Sequence, residues 1–278
     1  MRKLFCELNP TCYKISLKKE RFKRRLKNTF SHQKIAKEKS DKELKYIIKG
    51  HFSIIVRKLY GVDIELQKNK VTNIELACKK INGLIIHPNE VFSFWTTIGS
   101  PTKRKGYKEG LVIRKNKVLD KSYGGGLCQM ANMIHYLVLN SPLEVVELHH
   151  HTDALFPDER RRVPFGTGTS VMYNYVDYRF KNNLDFDIQL LTWVEDGMVY
   201  GELRAAKDIP YRYKLVEEDH HFKKEGDKYY RISKVYKITI NKKKNKEIKK
   251  ELILNNHSLV LYDYKLIPKE EIRNDWYC

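Results

Sequence analysis

Residues 123–142 read YGGGLCQMANMIHYLVLNSP, a run of three glycines followed at once by an apolar segment. Apolar side chains recur in it at spacings of three and four residues, which is typical of an amphipathic helix that buries one face. The pattern predicts a helix over residues 127–140 that ends before Ser141-Pro142. Its buried stripe would consist of Leu127, Met130, Ile134, Leu137 and Val138.

On both sides of this helix the apolar pattern changes to a period of two, which is typical of strands. Upstream, Thr72 and Glu75 have the spacing of a capping box and predict a helix that ends at Gly83. The lysine-rich residues 34–50 are also predicted to be helical. Strands are predicted at residues 84–87, 91–95, 144–151, 170–180, 186–194, 198–206, 211–222 and 228–240. A further strand is predicted within residues 106–118, and one or two within 248–264.

These elements predict an α+β fold in which a helix packs on an antiparallel sheet. Hairpin turns are expected at Glu195-Asp196-Gly197 and Glu225-Gly226-Asp227. We divide the chain into three parts by composition. They are a basic, partly helical N-terminal region (1–69), a core domain (70–206) and a smaller β-rich C-terminal segment (207–278).

The net charge of +20 is concentrated in two stretches of the 278-residue chain. Residues 1–50 hold 16 Lys and Arg against 5 Asp and Glu, and residues 223–251 hold 12 against 4. No helix-turn-helix, zinc-finger or RNP pattern accompanies this charge, so nucleic-acid binding is disfavoured. A solvated basic face, or peripheral contact with an anionic surface, is the preferred interpretation.

The chain shows no pattern for export or membrane insertion. No apolar run reaches the 18 residues expected of a transmembrane segment. Residues 1–30 lack the apolar region of a signal peptide, so we expect a cytoplasmic protein. The five cysteines are irregularly spaced and contain no CxxC pair, which disfavours both disulfides and a Cys-rich zinc site.

Cys128 is the candidate nucleophile, because it falls in the first turn of the predicted helix. Unpaired N–H groups and the positive end of the helix dipole favour a thiolate at such a position. The glycines before it, Gly124, Gly125 and Gly126, permit close approach by a ligand or another chain segment. The alternative is a semi-buried cysteine beside a turn whose glycines serve packing.

A thiol nucleophile needs a base, and the base needs an orienting group. His151 is the preferred base and His149 the second choice, because the two share one face of the strand predicted at 144–151. His150 would face the core. Asp177 is the orienting candidate, with Asp153 as a looser choice, although Asp177 could instead pair with Arg179.

The order of Cys on a helix, His on a strand and Asp on the next strand is that of papain-like and transglutaminase-like enzymes, which is an analogy of fold. Three adjacent histidines also suggest zinc. Neighbouring strand residues point to opposite faces, however, so at most two could converge, and we expect no metal and no cofactor.

Several stretches resemble the VanW family, and together they cover about residues 70–206. The resemblance implies a role in vancomycin resistance that is related to the cell wall. It implies no established biochemical activity. The family's Gly-Gly-Gly-x-Cys-Gln motif corresponds to residues 124–129, and its two strand histidines to His149 and His151. Many members are acidic where this chain has Gly168, which leaves Asp177 as the orienting candidate. The matching stretches are residues 77–83, 88–94, 105–110, 124–129, 147–151, 156–158, 164–170, 177–183 and 201–204.

Two functions remain open at this point. The first is a thiol amidase, peptidase or transpeptidase acting on cell-wall-related peptides, with an oxyanion site made by the backbone of residues 126–129. The second is a non-catalytic module that binds a cell-wall precursor or a partner protein. Its groove would be lined by the three glycines, Gln129, Phe94, Trp95, Tyr123 and Tyr173.

Overall fold

The computed structural model of the chain describes residues 4–56, 63–113, 119–150, 153, 154, 157 and 163–273. Four α-helices occur in this part of the chain: α1 (Pro10–Phe30), α2 (Ile64–Ile81), α3 (Phe94–Ile98) and α4 (Leu127–Leu139). The strands are β1 (Tyr46–Ile54), β2 (Leu84–Ile86), β3 (Val91–Ser93), β4 (Glu109–Ile113), β5 (Leu119–Tyr123), β6 (Glu144–Glu147), β7 (Asp153–Ala154), β8 (Arg179–Lys181), β9 (Ile188–Glu195), β10 (Met198–Ala205), β11 (Tyr211–Glu225), β12 (Lys228–Asn241), β13 (Lys246–Val260) and β14 (Ile272–Arg273).

The core lies between helices and an antiparallel sheet, which confirms the predicted α+β class. The sheet has the strand order β1-β10-β9-β2, and both α2 and α4 contact it. Every residue of the predicted α4 stripe is at most 2% exposed. Gly201 of β10 lets α4 approach closely, because a Cβ there would come within 2.8 Å of the Met133 side chain.

Three further sheets, of three, two and five strands, complete the described fold. The sheet with the order β3-β8-β6 contributes Phe92 and Phe180 to the main core, and β4 pairs with β5. The long strands β11, β12 and β13 form an antiparallel ribbon, to which β7 and β14 add short parallel pairings. The predicted hairpin turns are confirmed at both places, and Asp196 and Gly197 adopt the positive φ angles of a tight turn.

Upstream of residue 84, two predictions are wrong. α2 begins at Ile64, and Asp63 caps it by accepting a hydrogen bond from the Glu65 N–H, so Thr72 lies inside the helix rather than before it. Residues 34–50 are not helical. They form an extended segment and then β1, which pairs with β10 along its whole length, because burial in the sheet outweighs the helix propensity of the lysines.

The strand predicted at residues 170–180 is reduced to β8. Side chains from other elements donate to the carbonyls of Tyr173, Tyr175 and Val176, so these three groups are satisfied without a long strand partner. The strand predicted at 144–151 also ends early, at Glu147.

Candidate functional site

The glycine turn before α4 is closed by protein backbone. Gly124 and Gly126 have φ angles of 82° and 100°, which side-chain-bearing residues rarely adopt. Gly125 lies against Gly110 of β4, and a Cβ on it would come within 2.2 Å of the Gly110 carbonyl carbon. The buried Asn73 amide donates to the Gly125 carbonyl oxygen at 2.8 Å. In the described residues these glycines therefore serve the packing of the chain on itself.

Cys128 lies in the first turn of α4, as predicted, but its thiol is not activated. Its Sγ donates a hydrogen bond of 3.5 Å to the Val171 carbonyl oxygen. Burial raises the pKa of the thiol and outweighs the opposing effect of the nearby backbone groups. Both features oppose the thiolate expected from the sequence, because the loss of hydration exceeds the benefit of the helix N-terminus.

The raised pKa predicts slow alkylation of Cys128. We expect Cys128 to react with iodoacetamide more slowly than the free thiol of glutathione does at pH 7.5, because the thiolate is the reacting species. Site-resolved mass spectrometry of the folded protein measures the rate, and Cys12 of α1, which is partly exposed as Cys128 is, provides an internal comparison. If Cys128 reacts with iodoacetamide faster than glutathione does, the raised pKa assigned to its thiol is contradicted.

Gln129, Phe94 and Tyr123 have different surroundings. Gln129 Nε2 donates to Ser53 Oγ at 2.9 Å and to the Ile54 carbonyl at 2.7 Å, and so ties α4 to β1. Phe94 is fully buried in the core, which removes it from any open groove. Tyr123 is 37% exposed at the end of β5.

Trp95 and Tyr173 form an edge-to-face pair with ring centroids 5.5 Å apart. Trp95 Nε1 donates to the Val176 carbonyl at 2.8 Å, and Arg21 of α1 donates to the Tyr173 carbonyl at 3.0 Å. The aromatic pair therefore lies between α1 and the segment that carries Val171, the acceptor for Cys128.

Glu147, at the end of β6, is the centre of a buried ionic network that includes α1. Arg24 of α1 donates to both carboxylate oxygens, and Arg179 Nε lies 3.7 Å from one of them. Burial alone raises the pKa of the Glu147 carboxyl. The hydrogen bonds from Arg24 and His149 and the charges of the two arginines outweigh burial and lower that pKa to about 2.

Asp177 is bound within the same network. Its carboxylate accepts hydrogen bonds from Arg179 Nε at 2.8 Å, Ser93 Oγ at 2.6 Å and the Trp95 N–H at 3.0 Å. The sequence left open that Asp177 pairs with Arg179 instead of orienting a histidine, and this ion pair is present in the structure. Counting the Tyr178 N–H, four donors contact the Asp177 carboxylate and fix its position beside Arg179.

The histidines are separated by the early end of β6. His149 Nε2 lies 3.0 Å from Glu147 Oε1, so among the described residues the carboxylate beside it is Glu147 rather than Asp177. His150 is exposed and forms a β-bridge with Thr169, and its prediction as a core residue is wrong. His151 lies outside the described residues. Asp153 is in β7, opposite Leu259 of β13.

The Arg179 side chain lines an open groove of about 660 Å³. The Arg179 guanidinium donates to Gln33 Oε1 at 2.9 Å and to Asn28 Oδ1 at 2.6 Å, so both arms of the group are fixed at the groove. Glu90 and His87 also line the groove. Lys34, Lys37 and Glu38 add charges of both signs.

His87 is held between two carboxylates. Its Nδ1 lies 2.8 Å from Asp187 and its Nε2 3.0 Å from Glu38. The pKa of the His87 imidazole is raised, mainly by the hydrogen bond to Asp187 and then by the hydrogen bond to Glu38. Of the charged residues at this site, the sequence pointed only to Arg179, as the alternative partner of Asp177. His87 lies beside a proline in a turn, and Glu147 and Arg24 carry no local signal because their contact joins distant segments.

In the described ranges no cluster of three or more His, Cys, Asp or Glu side chains has the arrangement of a metal site. Within the same ranges, no helix is both long enough and apolar enough to cross a membrane.

Comparisons with known proteins place this geometry in context. The sequence profile described as VanW like protein matches residues 69–204. The vancomycin B-type resistance protein VanW of Enterococcus faecalis is 28% identical over 222 residues, which is 80% of each chain. The uncharacterized protein YoaR of Bacillus subtilis is 34% identical over 155 residues, 52% of this chain and 49% of its own. No solved structure shows significant similarity.

Proposed function

The chain belongs to the VanW family through its domain at residues 69–204, and from this premise we propose that it is a vancomycin-resistance-associated accessory protein. The support for the resistance role is the 28% identity with the Enterococcus faecalis resistance protein over 80% of both chains. We further propose that it acts by binding a cell-wall-related peptide rather than by thiol catalysis.

The Arg179 groove is the observation that carries the binding proposal. The guanidinium is 3% exposed as a side chain, and Asp177, Asn28 and Gln33 fix its three nitrogens. A fixed, planar guanidinium at a groove recognises a carboxylate with little loss of conformational entropy. Glu90 and Glu38 line the same groove, where Lys34 lies 3.0 Å from Glu90 and His87 lies 3.0 Å from Glu38, and an ammonium group would share these two carboxylates.

Charges of both signs in one groove suit a ligand that carries both. A short peptide with a free carboxylate and a free amino group has this chemistry, and cell-wall precursors contain such peptides. His87, whose pKa is raised, adds a third polar group that gains positive charge as the pH falls. We therefore expect peptide binding to depend on pH through His87 as well as on salt.

The thiol-enzyme alternative keeps one supporting observation, the position of Cys128 at the start of α4. Against it stand the raised pKa of the thiol and its hydrogen bond to the Val171 carbonyl. Asp177, its proposed orienting group, is occupied by Arg179 and Ser93.

A binding titration with a purified muropeptide that has a free peptide tests the proposal. We expect the double variant Lys37→Gln/Glu38→Gln to weaken binding about tenfold, because each change removes a charge-assisted contact. The matched control is Asp41→Asn/Lys42→Gln, which changes one exposed residue of each sign beyond the groove.

Equal affinities for the two double variants would contradict the groove as the binding site. Mass spectrometry of the same mixtures tests the alternative. If a peptide product forms with the wild-type protein and is lost with Cys128→Ser, the protein is a thiol enzyme and the non-catalytic proposal is wrong.

A further inference from the structure

The helix α1 is oriented opposite to an ordinary surface helix. A surface helix normally turns its apolar stripe to the core and its charges to water. Here Arg24 is the buried residue of α1, and it reaches Glu147 and the Tyr175 carbonyl. Arg21 and Asn28 make the other inward hydrogen bonds, and none of the apolar residues of α1 belongs to the described core cluster.

The outward face of α1 is apolar. Ile15, Phe22, Leu26 and Phe30 are spaced seven, four and four residues apart, which places them within about 80° of one another on a helix. Phe22 is 61% exposed and Phe30 is 71% exposed. The segment before the helix adds further exposed apolar side chains, namely Leu4, Phe5 and Leu8.

Basic residues border this apolar stripe on both sides. All six are exposed. Lys14, Lys18 and Arg25 lie along one side, Lys23 and Lys27 lie along the other, and Lys19 projects from within the stripe. Long lysine and arginine stems can extend sideways from an apolar surface while their charged ends stay in water. An apolar stripe between two basic rows is the pattern of a helix that lies in a membrane interface.

We propose that α1 docks on an anionic lipid bilayer, with its apolar stripe in the acyl boundary and its basic rows at the headgroups. Charge decides between this occupant and a second copy of the chain. Two α1 stripes facing each other would bring basic rows against basic rows, which repel. Anionic headgroups attract the same rows. Arg24 and Arg21, on the opposite face, hold the rest of the protein to the helix.

Vesicle co-sedimentation tests the apolar stripe. The full-length protein is mixed with vesicles of phosphatidylglycerol and phosphatidylcholine, or of phosphatidylcholine alone. We expect binding to the first mixture, and about tenfold weaker partitioning for Phe22→Ser/Leu26→Ser. The control Ile248→Ser/Leu252→Ser removes two apolar residues of similar exposure from β13, beside the second basic stretch, and is expected to bind like wild type.

The charges are tested in the same way. Each basic residue near an anionic surface contributes about fivefold in binding, so Lys18→Gln/Lys19→Gln should weaken partitioning by roughly 25-fold. The control Lys243→Gln/Lys244→Gln changes the turn between β12 and β13. Three results would overturn the proposal: equal binding to neutral vesicles, a larger loss in either control than in its α1 counterpart, or a stripe variant that dissociates a dimer while vesicle binding stays unchanged.

Discussion

Replacing Gly125 with alanine is expected to lower the free energy of unfolding by about 3 kcal/mol, the upper end of the usual cost of overpacking. The new Cβ would lie 2.2–2.5 Å from the backbone of Gly110, and neither backbone segment can move alone. β4 is paired with β5, and Asn73 binds the Gly125 carbonyl. Urea unfolding followed by circular dichroism measures the change.

Gly50→Ala is the matched control for this variant. A Cβ at Gly50 would meet only the Glu202 side chain, at an ordinary 3.8 Å, so its effect should stay within about 1 kcal/mol. Similar midpoints for the two variants would show that the approach of Gly110 and Gly125 is not a constraint on the fold.

Replacing Arg24 with methionine is expected to cost about 3 kcal/mol at pH 7, because it leaves the Glu147 carboxylate buried without its main partner. Lys23→Met, on the same helix but in an exposed ion pair with Glu20, should cost less than about 1 kcal/mol. Urea unfolding of both variants at pH 7 provides the comparison, and equal stabilities would contradict a structural role for Arg24.

The pH dependence gives a second measurement of the same contact. The pKa of Glu147 is about 2 in the folded protein, below its ordinary value of 4.5. A lowered folded pKa stabilises the protein above the unfolded pKa, and this stabilisation is lost as the pH falls from about 4.5 towards 2. In Arg24→Met the pKa of the folded carboxyl rises towards or above its unfolded value, so this loss of stability on acidification should shrink, disappear or turn into a gain. Unchanged acid profiles would count against the network.

The parts of the fold predicted from the sequence are those with local signals. α4 has an apolar stripe of regular period, and the hairpin at Asp196-Gly197 has the residues that its turn requires. β1 could not be predicted in this way. Its lysines suggest a helix, and only pairing with β10, about 150 residues away along the chain, makes it a strand.

The candidate site was less predictable, because its contacts join distant segments. Cys128 was placed correctly at the start of α4, but its burial depends on the loop that carries Val171. The period-two argument for His150 required a regular strand. The register shift between Val145 and Glu147, and the end of β6 there, remove that regularity. No local pattern marks Arg24 as the partner of Glu147.

The strand β1 lies outside the range matched by the family profile, yet it covers one side of β10 from Met198 to Ala205. Residues 35–39 likewise bridge to β3 and β2. A fragment limited to residues 69–204 would leave the outermost N–H and C=O groups of β10 without their partners. An exposed edge strand with unpaired backbone groups can pair with a strand of another chain, which leads to aggregation. The residues before the matched range thus protect the sheet from intermolecular pairing.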